Sequence, residues 1–302
     1  MSIERVAIIG LGLIGGSIGL AIGERLPQVT TRGWDASAAV RSRAAERGLV
    51  REVVETAQDA VRDADLVILC VPVGAMGDAA QAIAPALPSG AIVSDVGSSK
   101  ASVAKVLREA LPDATILPAH PVAGTEKSGP DAGFADLFNH RWCILTPPEG
   151  ASATDIARLS RFWQGLGAKV EVMDAAHHDL VLAVTSHLPH LIAYTIVGTA
   201  SDLEDVTQGE VIKYSAGGFR DFTRIAASDP TMWRDVFLTN REAVLEVLGR
   251  FTEDLTALQR AIRNGDGETL FDLFTRTRAI RRQVVEQGQD DARPDFGRAD
   301  HS

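Results

Sequence analysis

The chain has 302 residues, a formal net charge of −10, 45% hydrophobic residues and two cysteines. That length accommodates two domains or one large one, and the apolar fraction is that of an ordinary globular protein. The acidic balance speaks against nucleic acid or an anionic membrane as a partner, and an anionic ligand would have to be drawn in by local arginines.

No basic segment followed by an apolar core opens the sequence, so a secretory leader is not expected and the expected location is the cytoplasm. Cys70 and Cys143 lie in apolar, strand-like runs and read as buried free thiols rather than a disulfide. Near the N-terminus, the β-branched run Val6–Ile9 leads into Gly10, Gly12 and Gly15 in the spacing G-x-G-x-x-G. An apolar helical stretch, Leu13–Ile22, comes next, and a second strand, Val29–Trp34, ends at Asp35. Strand, turn, helix, strand and acid in this order are what a dinucleotide site requires. Gly10 permits a tight turn, Gly12 lets backbone N–H groups approach a pyrophosphate, and Gly15 lets the helix pack close to the strand. Leu13 and Ile14 open the helix whose positive end faces the phosphates. Asp35 would accept hydrogen bonds from the adenosine ribose and repel an extra phosphate, which favours NAD. Arg32 and Arg41 are near enough in sequence that NADP is not excluded. The secondary reading of Asp35, compatible with the first, is an N-cap for a helix that begins at Ala36.

Further strands are expected at Leu66–Val71, Ala91–Asp95, Thr115–Pro118, Trp142–Thr146 and Lys169–Val172, with helices at Ala75–Ala86, Ser99–Leu111 and Asp155–Leu166. This alternation implies an α/β fold with a Rossmann-type, mostly parallel sheet covered on both faces. Strand ends at Cys70-Val71-Pro72 and Asp95-Val96-Gly97 would open toward the cofactor crevice, placing Val71 and Pro72 beside the nucleotide. After Met173 the strand signals stop, and helices are expected over 174–200, 204–214, 220–227, 230–262 and 266–287, with turns at Gly217-Gly218 and Asn264-Gly265. The apolar stretch Leu180–Ala200 is broken by Pro189 and two histidines, which suits a buried helix better than a membrane span. The expected organisation is a dinucleotide-binding domain over 1–173, an all-helical substrate and dimerisation domain over 174–287, and a polar, disordered tail over 288–302. Helices this apolar in a small helical half call for burial against a second copy, so a homodimer is expected.

Three segments carry candidate chemistry. In Asp95-Val96-Gly97-Ser98-Ser99-Lys100, Ser98 would cap the following helix or reach a substrate from the cofactor end of the sheet. His120, in Ala119-His120-Pro121 ahead of a small-residue loop, would face the same edge. Its neutral imidazole suits taking a proton as hydride leaves an alcohol, and the plainer reading is a strand-end histidine bonded to backbone. Ser186-His187-Leu188-Pro189-His190 puts two histidines on one helix face, with no carboxylate at ligand spacing, so no metal is expected. Downstream, Arg220 or Arg224 could clamp a carboxylate, or serve at a surface or dimer contact.

Together, Gly-Ser-x-Lys, His-Pro-x-Ala-Gly-Thr-Glu-Lys-Ser-Gly, Ser-His-Leu-Pro-His and Gly-Gly-Phe-x-Asp-Phe-Thr-Arg-Ile-Ala-x-Ser-Asp-Pro-x-Met-Trp resemble the prephenate/arogenate dehydrogenase family of tyrosine biosynthesis over about residues 4–285. The resemblance implies NAD-dependent oxidation of a small anionic dienol. It makes His120 the catalytic histidine, and Ser98 the serine that orients it and touches the nicotinamide. His190 and Ser186 fall at the substrate's side-chain end, and His187 at a supporting position. Arg224 becomes the carboxylate-binding arginine reaching across a dimer, and Thr125 and Glu126 a loop bordering the pocket. Asp221 and Trp233 are expected to hold Arg224 and the interface. Rival readings are a β-hydroxyacid or pyrroline-carboxylate type of dehydrogenase, or a non-catalytic NAD-sensing module. The former typically carry a catalytic lysine on the helical half, where this chain has only Lys213.

Overall fold

The computed structural model describes residues 3–202 and 217–284. The helix expected over 204–214, Lys213 and the tail from 288 lie outside the described residues. Strands β1 (Arg5–Ile9), β2 (Thr30–Trp34), β3 (Glu52–Val53), β4 (Leu66–Leu69), β5 (Ile92–Asp95) and β6 (Thr115–Ile116) form a parallel sheet in the order β3-β2-β1-β4-β5-β6. This is the doubly wound Rossmann order, whose ligand crevice opens between β1 and β4 at the strands' C-terminal ends. Helices α1 (Leu13–Arg25), α2 (Ala38–Glu46), α3 (Ala57–Val61), α4 (Met76–Ile83) and α5 (Ala101–Ala110) fill the connections. The central strands are apolar throughout because both sheet faces are covered, and alternate side chains enter different layers. Val6, Ile8, Leu66 and Ile68 pack on one side with Ile18 and Ile22, while Ala7, Ile9, Val67 and Leu69 pack on the other with Met76, Ile83 and Leu107.

The strand expected over Thr115–Pro118 does not continue as one element. Pro118 has no N–H to donate to a ladder, and the chain leaves the main sheet there. Strand β7 (Ala119–Pro121) joins a second sheet with β8 (Trp142–Leu145) and β9 (Lys169–Val172), antiparallel between β7 and β8 and parallel between β8 and β9. Helix α6 (Ala153–Gly165) links β8 to β9.

The helix expected over 174–200 is three segments: α7 (Ala175–Leu182), a π-helical turn (Ala183–His187) and α8 (Leu188–Asp202). The wide turn precedes Pro189, whose ring and missing N–H do not fit an unbroken α-helical ladder. Gly217 and Gly218 open a helix, Gly217–Thr223, and a 3₁₀ turn follows at Arg224–Ala227. The helix expected over 230–262 breaks at Asn240 into Pro230–Thr239 and Arg241–Asn264.

Residues 1–244 form one compact unit and 245–302 another. The first contains both sheets and the helix Pro230–Thr239, whose Trp233 and Val236 join the core layer of Ala7 and Val67. The second, in its described part, is the remainder of Arg241–Asn264 and the helix Gly267–Val284. Within it Leu255, Ile262, Phe271, Phe274 and Ile280 are exposed.

Candidate active site

The glycine turn is built as its spacing implies. Gly10 adopts φ +98°, and a Cβ there would sit 2.4 Å from the carbonyl oxygen of Cys70. A Cβ on Gly15 would lie 1.9 Å from the carbonyl oxygen of Gly10, so α1 packs against the turn with no room for a methyl. Gly12 differs, since a Cβ there would meet nothing within 4 Å. Gly12 is also the N-cap of α1 and provides no side-chain hydrogen bond, so the first N–H groups of α1 await an acceptor from outside the helix. An open N-terminus beside an uncluttered glycine fits a pyrophosphate, and Leu13 and Ile14 sit in that first turn. At the end of β2, Asp35 receives the N–H of Leu11 at 2.9 Å and that of Ser37 at 2.9 Å. The following helix is capped by Ser37, not Asp35, because the aspartate is bound back to the glycine turn. Arg32 pairs with Glu52 and Asp63, and Arg41 with Glu55, so both arginines near Asp35 are already matched by acids. Val71 is half-buried and Pro72 exposed just past β4, at the crevice. Cys70 and Cys143 are free thiols, and burial pushes both upward in pKa.

His120 lies on β7, buried, with Nδ1 2.9 Å from Nε2 of His178. His178 Nδ1 is 2.8 Å from Asp179 Oδ1. The same carboxylate receives the backbone N–H of Lys100 at 2.7 Å and of Ala101 at 2.9 Å. Ser98 therefore does not cap α5; a carboxylate from α7 does. No hydrogen bond joins Ser98 to the His120 ring among the described residues, and His178 holds its Nδ1. Ser98 is half-buried beyond β5, and its hydroxyl has no partner among the described residues. Lys100 is fully buried, forming an ion pair with Asp95 and donating to the carbonyl of Ala119 at 2.7 Å. Burial, then the charges of His178, Lys100 and His187, hold His120 well below the ordinary histidine range. Burial also lowers His178 against the opposing bond to Asp179, and lowers His187 to about 4. Burial alone would raise Asp179, but its hydrogen bonds from His178 and from the N–H groups of Ala101 and Lys100 outweigh this and leave it below the ordinary range.

The second histidine pair is divided in role. His187 is buried with Nδ1 3.1 Å from Asn240 Nδ2, which also donates to the carbonyl of Asp179 at 2.8 Å. His190 stacks on Trp233 with ring centroids 3.6 Å apart, and its Nδ1–H donates to the carbonyl of Ser186 at 2.8 Å. Arg224 pairs with Glu126 of the same chain at 3.0 Å, whereas Asp221 pairs with Arg220. Thr125 accepts the N–H of Lys127 in the same loop. The sequence assigned no role to His178, Asp179 or Asn240, nor to Lys100 although it stands in the Gly-Ser-x-Lys motif; His177-His178-Asp179, at the start of the helix expected over 174–200, was a further local signal.

A glycine-turn nucleotide cradle beside a buried histidine cluster defines a dehydrogenase of the Rossmann type. A family model described as the nucleotide-binding domain of prephenate dehydrogenase matches residues 18–172, and one described as its dimerization domain matches residues 174–276. A cyclohexadienyl dehydrogenase from Zymomonas mobilis is 48% identical over 278 residues, covering 92% of this chain and 95% of that protein. A prephenate dehydrogenase from Bacillus subtilis is 32% identical, covering 90% of this chain and 73% of that protein. A prephenate dehydrogenase from Aquifex aeolicus, solved with hydroxyphenyl propionate and NAD+, is 32% identical with a TM-score of 0.85, covering 94% of this chain and 99% of that one. The chain belongs to the prephenate dehydrogenase family and is an NAD-dependent oxidoreductase.

Two outcomes are expected. Gly12→Ala should keep stability within about 1 kcal/mol yet weaken NAD binding about tenfold or more, whereas Gly15→Ala should cost about 3 kcal/mol or more. Denaturant unfolding and titration calorimetry check the pair, and intact NAD affinity in Gly12→Ala would contradict the cradle. Four histidines with lowered pKa values make the unfolded chain bind more protons than the folded one below the unfolded value near 6.5. The free energy of unfolding should therefore fall as pH drops from about 6.5 toward 4, by up to about 1.4 kcal/mol per pH unit for each such group. A flat urea-denaturation profile over that window would refute the buried neutral state.

Proposed function

We propose that this chain oxidatively decarboxylates prephenate, arogenate or both with NAD, giving 4-hydroxyphenylpyruvate or tyrosine in tyrosine biosynthesis. The observation that carries the reading is His120, a buried imidazole on β7 with one ring nitrogen engaged by His178 and the other without a partner among the described residues. Bound NAD supplies the hydride acceptor. His120 takes the hydroxyl proton as the ring carbon is oxidised, a task for the neutral imidazole that burial enforces. Departure of the ring carboxylate as carbon dioxide is driven by aromatisation, so the remaining residues need only bind and orient. The unpaired hydroxyl of Ser98 is assigned to the substrate hydroxyl. Arg224 holds a substrate carboxylate, with Thr125 and Glu126 bordering the pocket. A carbonyl only accepts, so the proton of His190 sits on Nδ1 toward Ser186, leaving Nε2 as an acceptor for the substrate's side-chain end. Trp233 fixes that ring by stacking.

The helical half, taken as residues 174–287, is assigned to a homodimer. Exposed Leu255, Ile262, Phe271, Phe274 and Ile280 need cover, and the matching family model is described as a dimerization domain. A cytoplasmic location belongs to the same proposal.

Steady-state kinetics with prephenate and arogenate, each with NAD and NADP, test the reading. Inertness toward both acids with either coenzyme would end it. His120→Asn should lower kcat by about 10²–10⁴, and an effect on KM alone would remove His120 from the base role. Arg224→Ala should mainly raise KM, because it removes binding shared by ground and transition states. An unchanged KM would count against the carboxylate clamp.

A further inference from the structure

We propose that His178 and Asp179 act as positioning residues that fix the tautomer of His120, placing its single proton on Nδ1 and leaving Nε2 bare to receive the substrate proton. The assignment rests on the reading of His120 as the base. It follows from counting protons along two short contacts. The Asp179 carboxylate already accepts the N–H groups of Lys100 and Ala101, so it faces His178 as an acceptor as well. His178 must then carry its proton on Nδ1. A neutral imidazole has only one N–H, so His178 Nε2 is an acceptor. His120 Nδ1, 2.9 Å from that nitrogen, is left as the donor.

The surroundings oppose other protonation patterns. His120 is faced by His178 from α7, by Lys100 from the turn before α5 and by His187 from the π turn; behind these stand Asp179, bonded to His178, and Asp95, paired with Lys100, while the His120 backbone meets Cys143 on β8. Burial and the nearby cations keep both imidazoles neutral, and the donors around Asp179 keep it ionised. In the reaction, the substrate O–H bond breaks and an N–H bond forms at His120 Nε2. The oxygen's electron pair would form the new C=O as the C–H pair left as hydride, for which bound NAD would be the acceptor. The imidazolium so formed is offset by the Asp179 charge through His178, and no proton has to leave His178.

The test uses the full-length protein labelled with ¹⁵N-histidine, at pH 7.5. Ring ¹⁵N shifts should show His120 protonated at Nδ1 and bare at Nε2, with the His120→Asn spectrum identifying its signals. His178→Phe should abolish that fixed pattern and lower kcat about 10²-fold or more, with KM within about threefold. His178→Gln, which can donate to Asp179 and accept from His120, should restore both most of kcat and the Nδ1–H pattern. A wild-type His120 protonated at Nε2 would overturn the relay, as would a His178→Phe variant with wild-type kcat. So would equal losses in the Phe and Gln variants. Wild-type protein that shows the expected tautomer yet turns over neither prephenate nor arogenate would sink the base role while leaving the tautomer assignment standing.

Discussion

One buried carboxylate organises the site. Asp179 gathers the first N–H groups of α5, the ring of His178 and, through its own carbonyl, the side chain of Asn240. Hydrogen bonds to an ionised group contribute about 1.5–3 kcal/mol each, and removing one partner of a buried ionic arrangement costs about 3–5 kcal/mol. Few single contacts in the described chain combine so many donors. The consequences reach outward. Helix α5 needs no cap of its own, because an acid at its positive end satisfies two otherwise orphaned donors. The helix break at Asn240 has a matching reason, since that side chain turns inward to Asp179 and His187 instead of continuing a solvent-facing turn.

Lys100 complements this arrangement from the next residue pair. Its ammonium lies between Asp95 at the end of β5 and the carbonyl of Ala119 on β7, with no exposure to water. The two sheets are thus joined through one charge, immediately before His120. An imidazole one residue along a strand fixed in this way has little freedom to drift.

The fold was readable from the sequence wherever a rule acts over a few residues. The glycine spacing, the all-apolar strands β1 and β4, and Asp35 at the end of β2 each follow from local sterics or two-sided burial. Two of the misread elements trace to prolines whose effect depends on context, and a third, the break at Asn240, to a side chain drawn inward by partners far away in sequence. At Pro118 the expected strand has already left the main sheet, and a separate strand starts at Ala119 in the second sheet, while Pro189 is accommodated by a π turn rather than by ending the helix. In the site, His120, Arg224 and His190 stood out because their motifs are contiguous. His178 and Asp179 did not, because their partners lie 58 and 79 residues away and no periodicity encodes such pairings. Ser98 suggested itself as a cap because the helix was expected to begin at Ser99, but a carboxylate delivered by tertiary structure is the stronger acceptor for those N–H groups.

The two ion pairs near the site differ in what they permit. Lys100 and Asp95 are both 0% exposed, so separating them would leave a buried charge unmatched, and the pair is part of the frame. Arg224 and Glu126 are 37% and 27% exposed, where an ion pair contributes only about 0–1 kcal/mol. Exchanging Glu126 for another carboxylate at Arg224 therefore costs little, and a guanidinium retains its two-pronged geometry for either partner. The Lys100 charge is thus locked into the frame between the two sheets, whereas the Arg224 charge is held by a partner that another carboxylate can replace.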